Sequence, residues 1–136
     1  MIQDLLAGGM PVFAHVAEYV ERMALETVGE CGYGIVGAVA GATYPQQLVE
    51  LRAAMPHTWF LVPGYGAQGG SAADTAGAFD EQGKGAIINN SRGIIFAHAI
   101  KPYSERFGAS RWQEAVESAT RDMIAHLRAD TPAGRL

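Results

Sequence analysis

Apolar residues recur at three- and four-residue steps from Phe13 through Val16, Val20 and Met23 to Thr27, with Glu18, Glu21, Arg22 and Glu26 between them. That spacing predicts an amphipathic helix from Pro11 to about Val28, its charges on a solvated face and Pro11 in the first turn, where a missing N–H is harmless. Residues 1–10, ending in a glycine pair and Met10, read as a lead-in. After the break at Gly29–Gly34 the pattern changes. Ile35–Ala40 is an apolar run without alternation, as expected of a strand covered on both faces. It ends at Gly41-Ala42-Thr43-Tyr44-Pro45-Gln46, where Thr43 and Gln46 stand at capping-box spacing for a helix whose Leu48, Leu51 and Met55 share a stripe before Pro56.

Two further units follow the same plan. Trp59–Val62 is a strand that stops at Pro63 and opens into a loop with Gly64, Gly66, Gly69 and Gly70; Ser71 and Asp74 then start a short alanine-rich helix to Phe79. Gly83 and Gly85 bracket a turn into the strand Ala86–Ile88, which runs into Asn89-Asn90-Ser91-Arg92-Gly93. Ile94–Ala97 fits either a helix or a prolonged strand, and Lys101-Pro102-Tyr103 reads as a loop. Ser110 and Gln113 form a third capping-box pair, opening a helix with Trp112, Val116, Ala119 and Met123 on one face; residues 129–136 are expected to fray. Strands alternating with helices predict an α/β fold with a parallel sheet, in which ligands bind beyond the carboxyl ends of the strands.

Composition narrows the function classes. At 136 residues the chain is expected to form one domain with a real core. A net charge of −4 without any basic run argues against nucleic acid and anionic membrane as partners. Cys31 is the single cysteine, so an internal disulfide and a thiolate metal cluster are both excluded, and it reads as an inert small residue. His15 and His126 fall on predicted helices, His57 in a turn and His98 beyond the last strand; no pair has metal spacing, so they read as satisfied or surface histidines and no metal is expected. No apolar run approaches the ~20 residues that span a bilayer, and the start of the chain lacks signal-peptide order, which makes a cytoplasmic location the expectation.

The chemistry concentrates in the two loops beyond the last two strands. Glycine reaches backbone angles that a side chain forbids, and a strand feeding such a loop can aim successive N–H groups at one anion. Gly64-Tyr65-Gly66-Ala67-Gln68-Gly69 fits G-x-G-x-x-G, the dinucleotide fingerprint. Yet the next strand ends in Asn-Asn-Ser-Arg instead of the acidic residue that binds a ribose, which at best suits NADP. Pro63 and the shortage of later strands also weigh against a Rossmann-like domain. The competing arrangement is the phosphate site of a (β/α)8 barrel, built from the loops after the seventh and eighth strands. There Arg92 would offer a bidentate guanidinium, Gln68 an amide, and Gly66, Gly69 and Gly93 backbone N–H groups. Pro63, Tyr65 and Ser91 are further candidate substrate contacts.

Gly41-Ala42-Thr43-Tyr44-Pro45, Pro63-Gly64-Tyr65-Gly66-Ala67-Gln68-Gly69-Gly70 and Asn89-Asn90-Ser91-Arg92-Gly93-Ile94-Ile95 together resemble the ends of strands six, seven and eight in the orotidine 5′-phosphate decarboxylases, most closely the longer bacterial type 2 subfamily. The resemblance runs from about Ile2 to the last helix. It implies a (β/α)8 barrel, a dimer in most members, that converts orotidine monophosphate to UMP and CO2 in pyrimidine biosynthesis without cofactor or metal. It also implies that Gln68 and Arg92 hold the substrate phosphate, with Gly66, Gly69 and Gly93 assisting. Tyr65 departs from the small or aliphatic residue usual at its position.

The family's Asp-x-Lys-x-x-Asp array and its further lysine have no counterpart. The chain has two lysines: Lys84 precedes its strand, on the face opposite the ligand, and Lys101 lacks an Asp two residues before it. A complete barrel takes roughly 250 residues. The expectation is therefore a C-terminal half-barrel, as a natural split product or a truncation, with no catalytic residue of its own. Three strands would leave sheet edges and an apolar face to be covered by a second copy or by the N-terminal half. A non-catalytic module that binds phosphate or oligomerises is the alternative.

Overall fold

The computed structural model describes residues 2–66 and 69–136. A short hairpin comes first, β1 (Leu6–Ala7) antiparallel to β2 (Met10–Pro11). Helix α1 (Val12–Leu25) follows directly, with Pro11 as its N-cap residue instead of inside its first turn. The lead-in is thus a hairpin turning on Gly8 and Gly9, both at positive φ.

The three predicted strands form one parallel sheet in the order β3 (Gly37–Val39), β4 (Trp59–Val62), β5 (Ala86–Ile88). Between them run α2 (Pro45–Ala54) and α3 (Ala72–Thr75), the latter continued by a 3₁₀ turn. After β5 come α4 (Ser91–Ile95), α5 (Tyr103–Arg106) and the long α6 (Trp112–Asp130). The run after Arg92 therefore resolves as helix. Residues 129–136 carry the end of α6 and a 3₁₀ turn, Pro132–Arg135, whose Arg135 guanidinium donates to the Glu81 carbonyl.

One face of the sheet builds the core. Phe60, Val62, Leu48 and Met55 are buried there with Ala17, Ala40, Ala42 and Ala78, and Ala38, Ala86 and Ile88 pack against them. The other face is bare. Val39, Leu61 and Ile87, in register across the three strands, are 70%, 43% and 60% exposed. The unbroken apolar runs had predicted cover on both faces; only the helix side has it. In a closed (β/α)8 barrel the bare face would line the interior. The outer strands β3 and β5 each have a single neighbour, so the sheet is an open arc, a partial barrel.

Helix α1 is rotated from its predicted setting. Its buried positions are Ala17, Glu21 and Ala24, whereas Val16 and Met23 are exposed. Glu21, expected on a solvated face, accepts from the His57 amide, His57 Nδ1 (2.6 Å) and Thr58 Oγ1 (2.8 Å). A carboxylate tolerates burial when several donors replace its water. This cluster fixes α1 to the start of β4. Of the three capping boxes, Ser71–Asp74 forms in full. The other two do not. Helix α2 starts one residue too late for Thr43, with Tyr44 at the N-cap and Pro45 in the first turn, and a 3₁₀ turn over Ala109–Arg111 takes Ser110 out of the α6 cap.

Arg52 is the polar centre of the core. Its guanidinium donates to the carbonyls of Ala78, Met55, Thr58 and Gly85 and lies 3.8 Å from the Phe60 ring centroid. Nearby, Asp80 accepts from the Tyr33 hydroxyl (2.7 Å) and from the Gln82 and Lys84 amides, shaping the turn into β5. Burial, then the bond to Asp80, pushes the Tyr33 phenol up to about 12. Burial also works to raise the Asp80 carboxyl, but the three donated bonds and the Arg52 charge outweigh it and hold the carboxyl below its ordinary value. A depressed carboxylate stabilises the fold fully above its unfolded pKa, about 4, and loses that contribution as pH falls through the folded value. Asp80→Asn should therefore flatten the acid limb of a melting-temperature-versus-pH curve below about pH 4. An acid limb identical to wild type would refute the linkage.

Candidate functional site

The loops after β3, β4 and β5 lie at the carboxyl end of the sheet and touch in sequence order. The Ala42 amide donates to the Pro63 carbonyl (2.9 Å), joining the first loop to the second. Within the second, Gly66 N–H donates to Gly70 O (2.7 Å), Gly69 N–H to Gly66 O (2.8 Å) and Gly70 N–H to Gly64 O (3.1 Å). The loop thus folds back on itself, with Tyr65 and Gly70 bridged, before α3 begins. Glycine is required where it doubles back: a Cβ on Gly70 would stand 2.7 Å from the Gly64 carbonyl oxygen.

Asn90 connects the second loop to the third. Its Oδ1 accepts from the Gly93 amide (3.2 Å) and caps α4, and its side chain lies against Gly66, where an added Cβ would be 3.3 Å from the same oxygen. The sequence reading passed over Asn90 as a specific residue. Its place three residues before Gly93, at the start of a possible helix, was the available signal. Ser91 Oγ donates to Asn89 Oδ1 (2.9 Å).

Between these loops is a cleft of about 190 Å³ lined by Pro63, Gly64, Tyr65, Asn89, Asn90, Ser91 and Arg92. Arg92 is exposed and has no ion-pair partner among the described residues. The first two amides of α4, Ser91 and Arg92, have no protein acceptor among those residues, as the first turn of a helix leaves them. The cleft can thus offer an anion a guanidinium and two amides.

Of the predicted site residues, Arg92, Pro63, Tyr65 and Ser91 come together here. Gly66 and Gly93 border the neighbouring pocket, and Gly69 the far side of the loop, beside Thr43 and Asp74. The amides of Gly66, Gly69 and Gly93 are all spent on protein acceptors. Gln68 lies outside the described residues. Lys84 precedes β5 at the opposite end of the sheet, and Lys101 pairs with Glu105 (2.5 Å) on the surface.

Histidines and acids form no metal site among the described residues. Among the described residues, His98 Nδ1 is buried without a hydrogen-bond partner, a departure from the expectation of satisfied or surface histidines. No helix there is long and apolar enough to cross a membrane.

No protein-family profile matches the chain. Individual proteins do. It is 50% identical over 127 residues to an orotidine 5′-phosphate decarboxylase of Rhodopirellula baltica, covering 93% of this chain and 42% of that protein. It is 45% identical over 94 residues to the enzyme of the same name from Clostridium botulinum strain Loch Maree, covering 69% and 31%. The solved structure of Leishmania donovani OMP decarboxylase superimposes with a TM-score of 0.55 and 34% identity, over 90% of this chain and 43% of that one. The chain spans less than half the length of these relatives. With its open parallel sheet and the three strand-end motifs in one row, it belongs to the orotidine 5′-phosphate decarboxylase family as a partial (β/α)8 barrel.

Proposed function

We propose that this chain is the phosphate-gripping part of an orotidine 5′-phosphate decarboxylase, the section after the fifth strand, and that it is inactive alone. The observation that carries this is the cleft between the β4 and β5 loops with Arg92, free of any ion pair among the described residues, at its wall. An orotidine or uridine 5′-monophosphate would place its phosphate there. Arg92 would hold two phosphate oxygens, the Ser91 and Arg92 amides would donate to the third, and Ser91 Oγ and Pro63 would bound the site. Gln68 keeps the amide role implied by the resemblance. Gly66, Gly69 and Gly93 act by giving the loops their shape, since their amides are already bonded.

The lysine–aspartate array that performs decarboxylation would come from other strands of the barrel, and those strands would cover Val39, Leu61 and Ile87. A second copy of the chain is the alternative cover. A cytoplasmic setting belongs to the same proposal, and neither metal nor cofactor enters it.

Titration of UMP and of inorganic phosphate against wild type and Arg92→Ala tests the site. Charge-assisted bonds are worth about 1.5–3 kcal/mol each, so the variant should bind at least about tenfold more weakly. Equal binding by the two proteins removes Arg92 from the site. NADP binding tighter than UMP would restore the dinucleotide alternative.

A further inference from the structure

The anion cleft shares a wall with a second, larger pocket of about 320 Å³ between the glycine loop and α6. The shared wall is Tyr65 and Asn90. On the far side lie Tyr103, Asp122, Met123 and His126. Asn90 is held by the Gly93 amide. Tyr65 is held from across the pocket: its hydroxyl is 3.3 Å from His126 Nδ1 on α6. Burial, and then the charge of Asp130, keeps the Tyr65 phenol above its ordinary value, so it stays protonated and able to bond at neutral pH.

Helix α6 is itself well seated. Ala115, Ala119 and Met123 are buried, and the Tyr103 hydroxyl donates to Asp122 (2.8 Å), tying α5 to α6 beside the pocket. The glycine loop, in contrast, has little side-chain mass of its own. Tyr65 is the one long side chain among its described residues between Pro63 and Ser71. Its backbone is bridged to Gly70, so whatever fixes the ring fixes both arms of the loop.

We propose that Tyr65 is a positioning residue: its hydroxyl bond to His126 straps the glycine loop to α6, so that the C-terminal helix sets the shape of the anion cleft. The consequence for phosphate rests on the proposed phosphate site; the strap itself does not.

The test uses Tyr65→Phe, His126→Ala and the double variant of the whole chain, with two readouts: phosphate affinity, and amide hydrogen exchange of Gly66, Gly69 and Gly70, whose N–H bonds close the loop. Loss of one hydrogen bond should weaken phosphate binding about three- to tenfold and speed loop exchange in each single variant. The double variant should be no worse than the weaker single, because both remove the same bond. Arg92→Ala is the control, losing affinity while leaving loop exchange unchanged. Loop exchange in Tyr65→Phe equal to wild type overturns the strap, as do additive effects in the double variant. If wild type binds no phosphate or UMP at millimolar concentration, the phosphate site fails. Exchange then decides the strap by itself: faster in Tyr65→Phe upholds it, unchanged sinks it.

Discussion

Orotidine monophosphate incubated with this chain alone should stay undecarboxylated, with CO2 release at the uncatalysed rate. Decarboxylation leaves an electron pair on carbon, and the family meets that charge with a lysine ammonium held among aspartates. Here Lys84 stands at the wrong end of β5 and Lys101 is paired with Glu105 on the surface. Removing a single preorganised group from such a site typically costs about 10²–10³ in rate. With the whole array absent, no catalytic margin remains. Adding a polypeptide that carries the first five strands of a relative should restore turnover, and Arg92→Ala in that mixture should raise KM. Measurable turnover by the chain alone, followed as CO2 release, would show that the array is dispensable.

Arg52→Ala should be the most destabilising single substitution in the outer layer. It takes the side-chain donor from the Ala78 and Thr58 carbonyls, strips a second bond from those of Met55 and Gly85, which keep the Thr58 and Phe60 amides, and removes the cation from the Phe60 ring. Each unsatisfied buried acceptor costs about 1–3 kcal/mol. Water entering the vacated space recovers part of that, so a net loss of about 2–4 kcal/mol is expected, against total stabilities of about 5–15 for a domain. Arg52→Lys should recover little, because one ammonium cannot reach four acceptors in a plane. Urea denaturation of the three proteins decides it. A loss below about 1 kcal/mol would mean those carbonyls find other donors.

The architecture was legible because glycine or proline marked one end of each strand run: Gly41 after the first, Pro63 after the second and Gly85 before the third. Trp59–Val62 and Ala86–Ile88 match their predicted bounds, and β3 keeps Gly37–Val39 of the run Ile35–Ala40. Errors arose where tertiary contacts override local pattern. Periodicity gave α1 an apolar stripe, but the side that packs is set by Glu21 meeting His57 and Thr58 from a segment more than thirty positions away. No local pattern marks Arg52, since three of its four acceptors lie beyond its own helix. At the site, composition pointed to Arg92 and the glycines. It could not tell that the glycine amides are spent internally or that Asn90 joins the loops, because both depend on how the second and third loops meet.

The sheet is sealed on its helix side and bare on the other, and this asymmetry governs how a barrel could be completed. The outer layer, from Leu48 and Phe60 to Arg52, is satisfied within the chain. Closure by a separate polypeptide is then a docking of preformed surfaces. Docking between chains is second order. The half-time of activation on mixing should shorten in proportion to partner concentration, whereas a tethered barrel would close at one fixed rate. An enzyme closed in this way would lose activity on dilution as well as on heating.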